Sequence, residues 1–464
     1  MSSAHAGGSV DSATGEVVEL LTTMIRNGCV NTGDVASGHE VRTADTLRAY
    51  LGDVVDTAVV DAAPGRRSLV ARLPGTDPTA PSLGLVCHTD VVPATDADWT
   101  RDPFAAELDL GASGATGDGG GGMVWGRGAI DMLDTTATMA VALRRAGLAA
   151  RRGIRPRGDL VFVAAADEEG HAEHGARYLL EHHRDEVMAD RVVTEGGGWP
   201  LTSGPTPALS WAVAEKGSAW LRLDVHGRAG HAAMPHGADN ALVTAAEVIR
   251  RLAEHRVAPR LPAEWEAWVA AMGYDAELTA GLLDPGTVLA TAEATGDPAL
   301  AAHAHACTHL TITPTGARGG VVINAIPDLV EIDVDARILP GQSCTEVETE
   351  IVRALDGLTD RVDLVWRHRL ETTSSPVASP LRDTVAGIAD ALVPGTRLVP
   401  GMITASTDAD YFRRAGAEVY GFSMHSGYAT PEQFRRMFHG PDERVDLRSL
   451  ELSTAMWTEL ISQC

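Results

Sequence analysis

The chain has 464 residues, more than one hydrophobic core usually supports, so its length predicts two domains. Its 63 acidic and 38 basic residues give a formal net charge of −25, which argues against nucleic acid and anionic membrane surfaces as partners, because both need clustered Lys and Arg. The five cysteines form no CxxC pair, so neither a structural zinc site nor a disulfide framework is indicated. With no apolar signal segment and no apolar run of about 20 residues, the chain is predicted to be cytoplasmic.

Changes in hydrophobic periodicity divide the chain into four segments. Residues 1–14 are small and polar and are predicted to be disordered. Over residues 15–212, short apolar runs alternate with helices, which predicts an α/β domain with a mostly parallel sheet flanked by helices. Over residues 213–371 the predicted strands alternate apolar and polar residues, as half-solvated strands do, which predicts an inserted α+β domain. The first pattern returns over residues 372–464, which are predicted to complete the α/β domain.

Three predicted strands of the α/β domain are followed by polar residues. The strands cover residues 83–87, 160–165 and 191–194. Ligands of open α/β sheets bind outside the carboxyl ends of the strands. We therefore expect the polar residues after these strands to lie together at a ligand site; they are His88-Thr89-Asp90, Asp167-Glu168-Glu169 and Glu195.

The sharpest of these features is His88-Thr89-Asp90. The period-two geometry of a strand places the side chains of His88 and Asp90 on the same side of the chain. A metal-bound imidazole normally donates its other N–H to a carboxylate, so His88 can be a ligand that Asp90 orients. Taken alone, such a motif is more often structural.

Further carboxylates and one histidine extend the candidate site. Asp131 lies in a glycine-flanked turn before a predicted helix, where it can bridge two cations through its two oxygens or, alternatively, cap the helix. The side chains of Glu168 and Glu169 diverge, so one can hold a metal while the other acts as a general base. Together the candidate ligands offer nitrogen and oxygen atoms and no thiolate; they are His88, Asp131, Glu169, Glu195 and His439.

Longer motifs carry a resemblance to a known family. They are His88-Thr89-Asp90-Val91-Val92-Pro93, Gly126-Arg127-Gly128-Ala129-Ile130-Asp131-Met132, Gly230-His231, and Asn324-Ala325-Ile326-Pro327 with Arg337. With these motifs the chain resembles the M20 metallopeptidases, which include aminoacylases, acetylornithine deacetylase, succinyl-diaminopimelate desuccinylase, glutamate carboxypeptidases and dipeptidases. The resemblance extends from about residue 15 to the C-terminus.

The resemblance implies a two-metal site. Asp131 would bridge the two metals, His88 and Glu195 would complete one site, and Glu169 and His439 would complete the other. Zn²⁺ is the expected ion, with Co²⁺ as an alternative. The resemblance also implies that the peptide bond after Asp131 is cis.

The resemblance further implies catalytic and substrate-binding residues. Glu168 would be the general base and acid, and Asp90 would orient the histidine ligand that precedes it. His231, from the inserted lid or dimerisation domain, would help to stabilise the tetrahedral oxyanion. Asn324 and Arg337 would contact the substrate, the arginine through a carboxylate.

The expected reaction is hydrolysis of the amide bond of a small N-acyl amino acid or dipeptide that carries a free carboxylate. A water between two divalent cations would supply hydroxide near neutral pH, and Glu168 would take its proton and pass it to the leaving nitrogen. Two alternatives stay open, namely a carboxypeptidase-like exopeptidase acting on longer peptides and a non-catalytic descendant that only binds a ligand. A homodimer is also predicted, in which His231 of one protomer completes the site of the other.

Overall fold

The computed structural model describes residues 12–111, 121–170, 172–201 and 207–464. The chain divides into two compact units. The first unit comprises the described residues up to 213, together with Ser375–Pro400 and Thr407–Cys464. The second unit comprises Ala214–Ser374 and Gly401–Ser406.

Helices and strands alternate along most of the chain, which falls into three successive parts. The first part of the chain contains helices α1 (Ser12–Asn27), α2 (Val41–Leu51), α3 (Leu133–Ala150), α4 (Ala176–His182) and α5 (Arg184–Val187), and strands β1 (Asp56–Ala63), β2 (Arg66–Leu73), β3 (Leu83–His88), β4 (Glu107–Asp109), β5 (Met123–Trp125), β6 (Leu160–Ala165), β7 (Arg191–Thr194), β8 (Pro200–Leu201) and β9 (Ala208–Glu215). The middle part contains helices α6 (Ala241–Glu254), α7 (Ala263–Met272), α8 (Ala276–Leu282), α9 (Val288–Ala294), α10 (Pro298–Thr308) and α11 (Cys344–Ala354), and strands β10 (Gly217–His226), β11 (Gly230–His231), β12 (Thr311–Gly319), β13 (Ala325–Ile326), β14 (Leu329–Ile338) and β15 (Val362–Leu370). The last part contains helices α12 (Pro380–Leu392), α13 (Ala409–Ala415), α14 (Pro431–Met437) and α15 (Leu447–Gln463), and strands β16 (Arg397–Ile403), β17 (Glu418–Gly421) and β18 (Arg444–Asp446).

A mixed sheet in the order β1-β2-β6-β3-β7-β17-β9-β16 forms the centre of the first unit. The pairs β6–β3, β3–β7 and β7–β17 are parallel, whereas β1–β2, β2–β6 and β17–β9 are antiparallel. All six residues of β3 and of β6 are buried, which agrees with their continuous apolar sequences, because a parallel sheet is covered on both faces. The α/β fold and the three strands predicted at residues 83–87, 160–165 and 191–194 are therefore confirmed.

Helices cover both faces of this sheet. On one face, Val86 of β3 and Val163 of β6 belong to a hydrophobic cluster with Leu179 of α4 and Phe412 of α13. Helix α3 contacts β3 and β6 and also packs against α1 and α15. All residues of its first three turns are buried, including Asp134 and three threonines, because the helix is surrounded by other elements.

The second unit contains an antiparallel sheet in the order β12-β14-β10-β15. Strand β14 alternates buried and half-buried residues along its length after its exposed first residue, so one face of the sheet supplies the core and the other is partly solvated. The core face packs against α6 and α11, through Val248 and Val347 among others. In the part of the chain that the structure describes, no helix combines the length and the apolar content needed to cross a membrane.

Two observed boundaries differ from the sequence prediction. Helix α1 begins at Ser12, so the prediction of disorder over residues 1–14 is wrong for the last three of them, while residues 1–11 lie outside the described part of the chain. The short segment Gly401–Ser406 belongs to the second unit, although it lies within residues 372–464. The backbone N–H of Lys216 donates to the carbonyl of Ile403, and this tertiary hydrogen bond has no counterpart in local periodicity.

Candidate metal centre

Seven polar side chains of the first unit originate next to its central sheet and two of its helices. His88 is the last residue of β3, while Glu168, Glu169 and Glu195 follow β6 and β7. The other three are Asp90, Asp131 before α3 and His439 after α14. Because β3, β6 and β7 are parallel neighbours, their carboxyl ends meet at one edge of the sheet.

Asp131 lies between two histidines. Its Oδ1 is 3.3 Å from Nε2 of His88, which is also 3.6 Å from Oε1 of Glu195. Its Oδ2 is 3.1 Å from Nε2 of His439, which is also 3.4 Å from Oε2 of Glu169. The two oxygens of Asp131 thus face two separate histidine–carboxylate pairs.

Asp131 does not cap the following helix, so the capping alternative is wrong. Helix α3 begins at Leu133, its N-cap position is Met132, and no side chain caps it. The Asp131–Met132 peptide bond is cis, as the resemblance implied.

The donor atoms are close enough to share cations. Candidate ligand atoms of His88, Asp131 and Glu169 lie within 4.8 Å of one another, and so do those of His88, Glu168 and Glu195. Distance alone therefore does not separate Glu168, the expected base, from the expected ligands.

The unsatisfied atoms of the site also fit a metal. Among the described residues, neither the buried Nε2 of His88 nor the buried Oε1 of Glu169 has a hydrogen-bond partner. Buried polar atoms are almost always paired, and an imidazole nitrogen and carboxylate oxygens are ordinary ligands of divalent cations. The residues present therefore suit a cation in chemistry and in spacing.

The electrostatics of the site point the same way. Burial raises the pKa of Glu195 to about 7, and burial raises the pKa of Glu168 well above its usual range. Burial by itself lowers the pKa of His88, but Glu195 and Asp131 outweigh it and hold this pKa well above its usual value. The hydrogen bond with Asp131 raises the pKa of His439 to about 10. The raised pKa values mean that, without a cation, the carboxyl groups and histidines of the site retain protons that offset the clustered negative charge.

Asp90 is fully buried and supports two parts of the site at once. Nδ1 of His88 is 3.0 Å from the backbone carbonyl of Asp90 and 3.6 Å from its Oδ1, so the carbonyl is the nearer acceptor. The carboxylate instead accepts hydrogen bonds from the backbone N–H of Glu168 at 3.2 Å and of Glu169 at 3.0 Å. Asn31 Nδ2 donates to it as well, at 2.9 Å.

A buried polar network behind Asp90 was missed by sequence reasoning. The same Nδ2 of Asn31 donates to Oδ1 of Asp167 at 2.9 Å, and Arg66 lies 3.4 Å from that oxygen. Arg66 is 1% exposed and also pairs with Glu40. Asp167 has a φ of 61°, a left-handed conformation that is uncommon outside glycine and that places the next two residues at the site. The only local signal was the position of Asp167 after a strand, because its partners come from distant parts of the chain.

Glu443 is a second residue whose importance the sequence did not indicate. It is fully buried, pairs with Arg127 at 2.7 Å and accepts hydrogen bonds from the turn that carries Asp131. Glu443 follows His439 by four residues, and this proximity to a candidate ligand was the available signal.

The other three predicted residues lie in the second unit. His231 and Asn324 are exposed and close together, since His231 pairs with Ala325 in a two-stranded ribbon and the N–H of the next residue donates to the Asn324 carbonyl at 3.0 Å. Arg337 lies on β14, where its Nε donates to Asp335 at 2.8 Å.

Comparison with known proteins gives a consistent result. Peptidase family M20/M25/M40 matches residues 84–463. Aminoacylase-1 from Sus scrofa is 27% identical over 414 residues, which cover 87% of this chain and 86% of that protein. An M20 family metallo-carboxypeptidase from Sulfolobus solfataricus superimposes with a TM-score of 0.73 at 15% identity, over 98% of this chain and 99% of the other. A dinuclear metal binding peptidase of the M20 family from Bacillus subtilis superimposes with a TM-score of 0.56 at 13% identity, over 96% and 98% of the two chains.

The family match covers most of the chain, and it includes all seven residues of the candidate centre. The similarity to aminoacylase-1 extends over a comparable share of both proteins. The chain therefore belongs to peptidase family M20/M25/M40 and is a metal-dependent hydrolase that acts on amide bonds.

Proposed function

We propose that the chain is a two-metal hydrolase that cleaves the amide bond of a small N-acyl amino acid or a dipeptide. The observation that carries this proposal is the position of Asp131, whose two oxygens lie 3.3 Å from His88 Nε2 and 3.1 Å from His439 Nε2. A single carboxylate in this position can serve two cations, because each oxygen offers a separate ligand atom.

The ligand sets follow from the two histidine–carboxylate pairs. His88 and Glu195 would hold one cation, Glu169 and His439 would hold the other, and Asp131 would contact both. Nitrogen and oxygen ligands without a thiolate suit Zn²⁺, with Co²⁺ as the alternative. The two cations would supply Lewis-acid activation of the amide carbonyl and of the attacking water. The similarity to the Bacillus subtilis protein, which is described as dinuclear metal binding, supports this arrangement.

Glu168 is proposed as the general base and acid. Burial and the nearby Glu195 raise its pKa well above the usual range, which suits a carboxyl group that takes a proton from water near neutral pH and returns it to the leaving nitrogen. Asp90 would fix its position, since the Asp90 carboxylate accepts the backbone N–H of Glu168.

Substrate contacts are proposed for three residues of the second unit. His231 and Asn324 are exposed side by side, and an imidazole there can donate to the oxyanion that develops on the carbonyl oxygen. The Arg337 guanidinium would bind the free carboxylate of the substrate, because its planar set of donors matches a carboxylate in a bidentate way. In this structure Arg337 donates to Asp335 instead, so the substrate would have to compete with that acid.

The class of substrate can be tested directly. Similarity to aminoacylase-1 over most of both chains supports an N-acyl amino acid, whereas the similarity to a metallo-carboxypeptidase supports the exopeptidase alternative. We propose to measure kcat/KM of the Zn²⁺-loaded and Co²⁺-loaded protein on N-acyl amino acids, dipeptides and tetrapeptides. Preference for the first two groups supports the proposal, and preference for tetrapeptides would replace it with the exopeptidase. No turnover of any member, with two metals bound, would favour a ligand-binding descendant.

A homodimer is proposed from the surface of the second unit. Val321 is 99% exposed and Ile323 is 102% exposed, and Leu242 and Val243 of α6 are more than half exposed. Large exposed apolar side chains favour a protein–protein interface on this unit. In the proposed dimer, His231 of one protomer serves the metal centre of its partner.

A further inference from the structure

The carboxylate of Glu443 accepts four hydrogen bonds from one short turn. Its Oε2 accepts from Arg127 Nη1 at 2.7 Å and from the N–H of Gly128 at 3.1 Å. Its Oε1 accepts from the N–H of Ile130 at 2.8 Å and of Asp131 at 3.2 Å. The carboxylate is 0% exposed, so the four donors of the turn replace water completely.

Strand pairing explains why Glu443 meets this turn. Strands β5 and β18 are antiparallel, with Trp125 opposite Arg444, so the residue after β5 lies beside the residue before β18. The N–H of Gly126 accordingly donates to the carbonyl of Glu443 at 2.9 Å. The turn from Gly126 to Asp131 therefore starts against the backbone of Glu443 and closes over its side chain.

Arg127, which donates to Glu443, also contacts two other segments of the chain. Nη2 of Arg127 donates to the backbone carbonyl of His439 at 3.2 Å and approaches the carbonyl of Pro93 at 3.5 Å. Arg127 is 3% exposed, so these bonds form away from solvent, where they are stronger than at the surface. The Arg127–Glu443 pair thus joins the segment that carries Asp131 to the segment that carries His439.

The two histidine–carboxylate pairs depend on different elements. His88 ends β3 and Glu195 follows β7, and the parallel pairing of these two strands sets their spacing. His439 is held by no strand, and its φ of 54° lies in the left-handed region that a non-glycine residue adopts only when its surroundings impose it. Its 3.1 Å approach to Asp131 therefore relies on the contacts between their two segments.

From these contacts we propose that the Arg127–Glu443 pair positions Asp131 against His439 and thereby sets the affinity of the Asp131–Glu169–His439 cation site selectively. The proposal rests on the two-metal function proposed above. A buried carboxylate is required at position 443, because each of its oxygens accepts from two donors. A glutamine in either orientation would turn its own NH₂ group towards two N–H donors.

The test measures metal binding to one site at a time. In a His439→Ala background the remaining site is the one that includes His88 and Glu195, and in a Glu195→Ala background it is the one that includes His439. Zn²⁺ is titrated by calorimetry into each metal-free protein, with and without Glu443→Gln. Loss of a residue that orients a ligand typically weakens metal binding by roughly 10–100-fold. We expect a loss in that range in the Glu195→Ala background and a smaller one in the His439→Ala background, where the pairing of β3 and β7 still holds two of the three ligands.

The matched control is Asp190→Ala at the opposite end of the sheet, where Asp190 precedes β7 and accepts hydrogen bonds from the N–H and the hydroxyl of Ser82 at 2.7 Å. In the Glu195→Ala background this control should lower the unfolding temperature without the selective loss of Zn²⁺ affinity. Equal losses in both backgrounds, or no loss in either, would overturn the proposal. If Glu443→Gln does not fold, Arg127→Lys, which keeps the charge but cannot reach Glu443 and His439 together, is measured in the same way. Failure of the unsubstituted protein to bind two Zn²⁺ ions would instead refute the proposed two-metal function.

Discussion

The backbone N–H of Glu168 donates a hydrogen bond to Oδ1 of Asp90 at 3.2 Å, although 78 residues separate them in the sequence. Oδ2 of the same carboxylate accepts from the N–H of Glu169 and from Asn31. Asp90 therefore orients the segment that carries the proposed base, in addition to the histidine two residues before it. This is a wider task than the resemblance alone implied.

Substitution of Asp90 tests that task. In Asp90→Asn, the amide NH₂ must face at least one backbone N–H of residues 168–169, so the segment should shift. We expect kcat/KM to fall by roughly 10–100-fold, the range found for residues that orient metal ligands. Kinetics at saturating Zn²⁺ would measure the fall, and metal content would be determined in parallel. Unchanged kcat/KM would show that the carbonyl of residue 90 suffices to hold His88.

Substitution of Glu168 separates a base from a ligand. Glu168→Gln should bind two metals and lose about 10²–10⁴-fold in kcat, the contribution usual for a general acid–base group. Elemental analysis and steady-state kinetics measure the two quantities, and the exposed Glu173→Gln is the control in the same loop. Loss of one metal would mean that Glu168 is a ligand, as its distance to His88 and Glu195 also allows.

Removal of the metal should abolish activity. The site offers buried imidazole and carboxylate donors, two of whose atoms have no hydrogen-bond partner among the described residues. A chelator should therefore stop hydrolysis, and Zn²⁺ or Co²⁺ should restore it after the chelator is removed. Elemental analysis of the chelated sample is essential, because full activity in a sample shown to be free of metal would refute the proposed chemistry.

Mixed dimers test whether active sites are shared. His231→Ala should lower kcat by about 10²–10³-fold, which corresponds to a loss of about 2.7–4 kcal/mol of transition-state stabilisation and is usual for an oxyanion donor. The metal content should stay unchanged. After subunit exchange between His231→Ala and Glu168→Ala, a mixed dimer has one site with both residues intact. After random exchange about half of the dimers are mixed, and each mixed dimer has one competent site out of two. Up to about a quarter of the original activity should therefore return. A chain that is monomeric and active at the assay concentration would show that His231 acts within its own chain.

His425 should make stability depend on pH. Burial lowers its pKa from 6.5 to about 4, and among the described residues its Nδ1 has no partner. Because the folded protein keeps this histidine neutral, unfolding takes up a proton below pH 6.5, and stability falls by at most roughly 1.4 kcal/mol per pH unit between pH 6.5 and 4. Urea unfolding of the metal-free protein at several pH values measures the slope.

The matching variant is His425→Phe, which can still pack on Phe434, whose ring lies 4.9 Å from that of His425. Between pH 6.5 and 4 this variant should lose less stability than the unsubstituted protein. The control His236→Gln, which replaces an exposed histidine, should lose as much stability as the unsubstituted protein. Identical slopes in all three proteins would show that other groups dominate the acid response.

Local sequence patterns were sufficient to predict the central strands and the residues at their ends. Strands β3 and β6 are almost continuously apolar and β7 has two buried valines, because a parallel sheet buries both faces, and the chain must become polar where each strand leaves the core. The positions of His88, Glu168 and Glu195 at or just after the ends of these strands follow from that rule. The specific motifs around Asp131 added the family resemblance.

Only the tertiary structure decided which groups meet around those residues. Asp131 could have capped a helix, but its oxygens face His88 and His439, which are far apart in sequence. Glu443 and Asn31 carry no local signature, because their hydrogen-bond partners are backbone and side-chain groups of distant segments. A hydrogen bond depends on the final position of two atoms, whereas hydrophobic periodicity depends only on neighbours along the chain. For this reason the candidate ligands and Asp90 were predictable from the sequence, whereas Glu443 and Asn31 were not.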